Sequence, residues 1–111
     1  MKPKESKHAR VVIRQGKVAQ VNHVPVMFIK EGKMYITYSP VLDLSTCGET
    51  LDEAMQNFRE ALGLFFEECA KRHTLEQVLE SYGWQRVRTR PPSWEPPLII
   101  GSDNVSVPVT A

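Results

Sequence analysis

The sequence predicts an α+β fold: a small, mainly antiparallel sheet of 3–4 strands with one long helix packed on one face, a short second helix and an extended C-terminal arm. Three observations predict it. Residues 50–72 carry apolar side chains at helical spacing behind a capping signal. The residues before them alternate in β-branched and aromatic runs punctuated by turn signals. The residues after position 90 become rich in proline, which suits an extended segment rather than a packed element.

The elements can be justified in chain order. Residues 1–8 are charged and locally basic (Lys2, Lys4, Lys7, His8), and a disordered N-terminus is expected there. Ala9 to His23 contains two β-branched runs around Gln15-Gly16-Lys17, which predicts a hairpin. Val24 to Lys30 and Lys33 to Ser39 flank Glu31-Gly32, a second hairpin. In its return strand Met34, Ile36 and Tyr38 alternate with Tyr35 and Thr37, as in a strand with one buried face. Pro40 breaks that strand, and Leu42 to Cys47 form a short one ending at Gly48.

The long helix follows. Leu51, Ala54, Met55, Phe58, Ala61, Leu62, Phe65, Phe66 and Cys69 share one helical face. Thr50 and Glu53 stand at the spacing of a capping box. Asp52 and Glu53 meet the positive end of the helix dipole, and Lys71, Arg72 and His73 meet the negative end. Thr74 with Gln77 repeats the capping signal and opens a short helix through Tyr82, which Gly83 ends. Trp84 to Thr89 can form a further strand. The domain is therefore expected over residues 9–89, followed by an extended arm over 90–111.

Composition excludes several function classes. A chain of 111 residues is one domain by size. Its 14 basic and 13 acidic residues leave a net charge of +1, too balanced for a protein that coats nucleic acid. Cys47 and Cys69 lack the spacing of a zinc site, and Cys69 lies on the apolar helix face. No apolar run approaches the ~18 residues of a membrane span. A reducing cytoplasm is the expected location.

The search for chemistry returns no catalytic set, no metal site and no cofactor motif. The carboxylates Asp43 and Glu49 could hold a divalent ion near a sheet edge, but Glu53 is accounted for by capping and Glu60 by the solvent face. His8, His23 and His73 are scattered, and no nucleophile motif, phosphate-binding glycine loop or HExxH occurs. Phe28, Tyr35 and Tyr38 lie on neighbouring strands, yet Tyr35 and Tyr38 point to opposite faces, so core and cross-strand packing accounts for them better than base stacking.

Within Ile36 to Leu62, Tyr38, Pro40, Asp43, Gly48-Glu49-Thr50, Asp52-Glu53-Ala54 and Glu60-Ala61 form a recurrent pattern. An aromatic-bearing strand runs into a proline turn, a short strand, a Gly-acidic-Thr step and an acidic-Glu-Ala helix start. Over about residues 24–72 this resembles the HicB-like antitoxin family. The resemblance implies a partial RNase H-like fold without nuclease activity. It also implies the antitoxin role of a type II toxin–antitoxin system, or that of an orphan relative: binding and masking a small basic HicA-like toxin that cleaves mRNA. Tyr38, Pro40, Asp43, Gly48, Thr50, Glu53, Ala54 and Ala61 are then structural motif residues.

The chain departs from the family in two places. Ser39-Pro40-Val41-Leu42-Asp43-Leu44 replaces the usual Pro-Asp-Leu-Pro-Gly-Cys turn. No pair of helices joined by a short turn follows Arg72, which argues against promoter DNA binding. The expected contact residues for a protein partner are Trp84, Arg86, Arg88, Trp94, Leu98, Ile99 and Ile100, because exposed aromatic, arginine and large aliphatic side chains anchor interfaces. A homodimer is expected, and three roles stay open for the arm: contact with the partner, packing on its own sheet, or exchange across the dimer. Two alternatives stand beside this reading. One is a metal-dependent RNase H-like nuclease remnant using Asp43 and Glu49. The other is a nucleic-acid-binding module using Arg86, Arg88, Arg90 and the N-terminal lysines.

Overall fold

A computed structural model describes residues 9–14 and 17–110. The expected N-terminal segment 1–8 and the turn residues Gln15 and Gly16 lie outside the described residues. The fold is α+β: two helices packed on two antiparallel sheets.

The first hairpin pairs β1 (Arg10–Arg14) with β2 (Lys17–Asn22). Its register shifts between Val12 and Ile13, so that the two oppose Gln20 and Val18 and leave Ala19 as a bulge. The second hairpin pairs β3 (Met27–Glu31) with β4 (Met34–Ser39) across the two-residue turn Gly32-Lys33, one residue later than the expected Glu31-Gly32, because Glu31 pairs directly with Met34. Gly32 takes φ +59°, the left-handed value such turns require. β5 (Leu44–Gly48) then pairs with β4 and completes a three-stranded sheet in the order β3-β4-β5. Leu42 was expected to open this last strand. It lies instead in the preceding turn with Val41, both side chains buried, and Asp43 leaves the turn at φ +49°. Aspartate tolerates that conformation better than most residues.

α1 (Leu51–Lys71) begins where the capping signal places it: the Thr50 hydroxyl accepts from the Glu53 N–H at 3.1 Å. Its N-terminal half lies over β5 and β4, and its C-terminal half reaches the second sheet. Ala54, Phe58, Phe66 and Cys69 are buried, as the apolar spacing predicts, whereas Leu51 at the helix start is largely exposed. His73 follows the C-cap at φ +55°, and the N–H groups of His73 and Thr74 return to the carbonyls of Ala70 and Cys69. This is a Schellman closure with histidine in the usual glycine position.

α2 (Leu75–Ser81) forms as expected, but its predicted side-chain cap does not: the Thr74 hydroxyl makes no bond to the first turn. Thr74 sits at ψ 1°, already turned by the tight exit from α1, so its side chain cannot aim along the new helix. The helix ends at Gly83 (φ +85°), with Gly83 N–H to Glu80 O and Trp84 N–H to Leu79 O, a second Schellman closure.

The arm departs most from expectation. β6 (Gln85–Val87) and β7 (Ser93–Glu95) are antiparallel, and β7 also pairs with β1, giving the order β2-β1-β7-β6. β7 is therefore an interior strand of the four-stranded sheet, inside the segment 90–111 expected to be an extended arm outside the domain. The prolines explain how. Pro91, Pro92, Pro96 and Pro97 flank β7 and none lies within it, so its N–H groups remain available to the ladder. The Thr89 hydroxyl secures the connection, donating to Pro91 O at 2.7 Å and accepting from the buried Ser93 hydroxyl at 2.9 Å.

The main core lies between this sheet, both helices and the Val41–Leu42 turn. It gathers Val11, Val41, Leu42, Phe66, Cys69, Leu75, Leu79, Trp84 and Trp94. Residues 96–110 carry no regular structure, and residues 97–110 are exposed.

Candidate partner-binding surface

The motif residues build a corner between strand and helix. Gly48 is glycine because the helix start presses on it: a Cβ there would stand 2.6 Å from the Ala54 backbone N. Opposite this contact the buried Ala54 carbonyl receives two hydroxyls, Thr46 Oγ1 at 2.9 Å and Thr37 Oγ1 at 3.1 Å, which are 2.6 Å from each other. Each threonine has one proton, so one hydroxyl donates to the carbonyl while the other donates to its neighbour or shares that acceptor. Asn57 adds a bond from Nδ2 to Cys47 O at 2.9 Å. On the other side of the sheet the Tyr38 hydroxyl donates to Asp43 Oδ1 at 3.0 Å. That hydrogen bond, ahead of partial desolvation and the carboxylate charge, raises the phenol pKa above its ordinary value. Pro40 lies in the turn between them, and Ala61 is half-buried along the helix.

This corner leaves the first strand of its sheet uncovered. α1 lies on β5 and β4, so β3 is exposed along its whole length. Met27, Phe28 and Ile29 are 47%, 56% and 42% exposed, and Met34 across the hairpin is exposed too. The register places Met27, Ile29, Met34, Ile36 and Tyr38 on the sheet face turned away from α1, while Phe28, Lys30 and Tyr35 share the helix side. Sequence reasoning missed this surface because an apolar alternating strand reads as half-buried whether or not anything covers it. The legible signal was its place: a first strand joined by a tight hairpin, with one later strand and one helix, leaves an edge.

The sequence-predicted contact residues separate into a buried pair and two exposed groups. Trp84 and Trp94, expected as exposed anchors, are corrected: they are 2% and 3% exposed and belong to the core. Trp84 Nε1 donates to Val41 O at 2.8 Å, while Trp94 Nε1 has no partner among the described residues. Both tryptophans are buried because β6 and β7 close the sheet over the C-terminal half of α1. Leu98, Ile99 and Ile100 are exposed, Ile100 at 93%. Leu98 and Ile99 border an open cleft of about 300 Å³ with Ala9, His23 and Pro25. Arg86 and Arg88 are exposed and line one groove with Thr89, Arg90 and Pro92. The two exposed groups thus lie on different surfaces.

Among the described residues no three His, Cys, Asp or Glu side chains converge as metal ligands. Asp43 is engaged by Tyr38, and Glu49 is exposed at the turn into α1. Among the described residues no helix is long and apolar enough to cross a membrane. Comparisons with family models, curated proteins and solved structures find no match to this chain.

Proposed function

We propose that this chain is a non-enzymatic protein-binding module of the HicB-like antitoxin type, which neutralises a small basic RNA-cleaving toxin in the cytoplasm by covering it. The observation that carries the reading is the exposed apolar surface around β3 together with Leu98, Ile99 and Ile100. Exposed large apolar side chains grouped on one strand and on one stretch of the arm mark surfaces that a partner covers. Residues 24–72 support the reading through their order: hairpin, third strand, glycine step and capped long helix. The exposed acidic residues Glu49, Asp52, Glu53 and Glu60 at the start and along the first half of α1 suit a basic partner. The test is isolation of the chain from its own cells at low salt with the complex mass measured. A stoichiometric small basic protein is expected. Recovery of the chain alone, across growth conditions, contradicts the reading.

A second reading has its own observation. Arg86, Arg88 and Arg90 border one groove, which suits a phosphate backbone. Binding of a short RNA that weakens steeply with salt and is lost on substituting the three arginines by alanine would favour it.

A further inference from the structure

We propose that the arm segment Val105–Val109 adds as an antiparallel strand to the free edge of β3 in a second copy of this chain, the two copies exchanging arms. Two open elements sit on one molecule. β3 is the edge of its sheet. The arm is exposed throughout residues 101–110 and pairs with no strand among the described residues. Reciprocal exchange about a two-fold axis fills both vacancies at once.

The backbone of β3 defines what the edge accepts. Glu31 and Met34 pair directly across a two-residue turn, so they exchange hydrogen bonds. Alternation then points the N–H and C=O groups of Ile29 and Met27 toward β4, and those of Phe28 and Lys30 toward the free edge. Val26, just before the strand, continues the outward set.

The arm matches this pattern through its proline. Val105, Val107 and Val109 present their backbone groups to one side, and Ser106 and Pro108 to the other. Pro108 has no N–H, so its side faces solvent and the valine side faces β3. With Val107 opposite Phe28, Val109 stands opposite Val26 and Val105 opposite Lys30. Val107 then lies beside the exposed Phe28 ring on the helix side of the sheet. The same register brings Asp103 to the Gly32-Lys33 turn, between Lys30 and Lys33. Pro108 also blunts the new outer edge, so the assembly closes as a dimer instead of growing.

The test uses the purified full chain without any partner, so its outcome is independent of the antitoxin reading. Light scattering after size exclusion is expected to give the mass of two 12.6 kDa chains. Two proline variants then probe the geometry. Both keep the exposed arm extended, and neither touches the core. Val107→Pro removes an N–H aimed at β3 and is expected to weaken dimerisation about tenfold or more. Ser106→Pro removes an N–H aimed at solvent and is expected to leave the dimer intact. A monomeric wild-type chain, which includes the case of an arm folded onto its own β3, overturns the proposal. So does a dimer that both variants leave intact or that both disrupt equally.

Discussion

At the scale of single residues the two tryptophans make the sharpest contrast. Both are buried, yet among the described residues only Trp84 has its indole N–H paired, with the Val41 carbonyl. Removing that donor strands a buried acceptor, which costs roughly 1–3 kcal/mol. Trp94 has no such bond to lose. Trp84→Phe is therefore expected to destabilise the chain more than Trp94→Phe by about that amount, read as the difference in urea unfolding free energy. Tyr38 offers a spectroscopic test. Its phenol pKa is raised, so the protonated hydroxyl is the bonded form. The bond to Asp43 is fully present below the free phenol value and is lost as pH rises through the higher folded value. Asp43→Asn is expected to bring the phenol back toward its ordinary titration, followed by absorbance of the phenolate. Neither tryptophan's burial was legible in the sequence. Trp84 follows a helix-ending glycine and Trp94 sits among prolines, and both contexts read locally as exposed loop. Their burial depends on β7 joining β1, a pairing between residues more than eighty positions apart.

At the scale of elements, the contact between α1 and β5 determines how the motif corner works. Gly48→Ala would drive a Cβ into the Ala54 backbone, and neither element can yield without breaking the two threonine bonds to Ala54 O. A loss of roughly 1–3 kcal/mol is expected, measured by thermal or urea unfolding. The long helix was legible almost to the residue, because cap, charge and apolar spacing agree over Leu51–Lys71. The second hairpin was legible for a similar reason, since its turn is short and glycine-bearing. The cap on α2 was not. Its Thr74–Gln77 spacing is right, but the Schellman exit from α1 fixes the Thr74 backbone before its side chain can act. Local signals failed where two elements share a residue.

At the scale of the whole molecule, the seven strands of the described residues divide into two sheets that one helix bridges. The four-stranded sheet and both helices bury the tryptophan core. The three-stranded sheet covers only one of its faces and leaves β3 bare. Under the proposed function, partner contact falls on the apolar face of β3, which strand addition at its edge leaves open, and on the exposed aliphatic residues Leu98, Ile99 and Ile100. Substituting Ile100→Asp is expected to leave stability within about 0.5 kcal/mol, because the side chain touches little. The same change is expected to weaken capture of the partner at least tenfold, read by titration of the isolated components. The alternation of apolar residues was legible in the sequence, but which of them remain uncovered was not, because that depends on which strand ends at the sheet edge.

The proposed function is the silencing of an RNA-cleaving partner by covering it. The most direct measurement isolates the complex, separates the partner under denaturing conditions, refolds it, and follows its cleavage of RNA as purified chain is added back. The account predicts cleavage by the partner alone and its stoichiometric suppression by the chain. A released partner that cleaves no RNA, or one whose cleavage is unchanged by the chain, would contradict it.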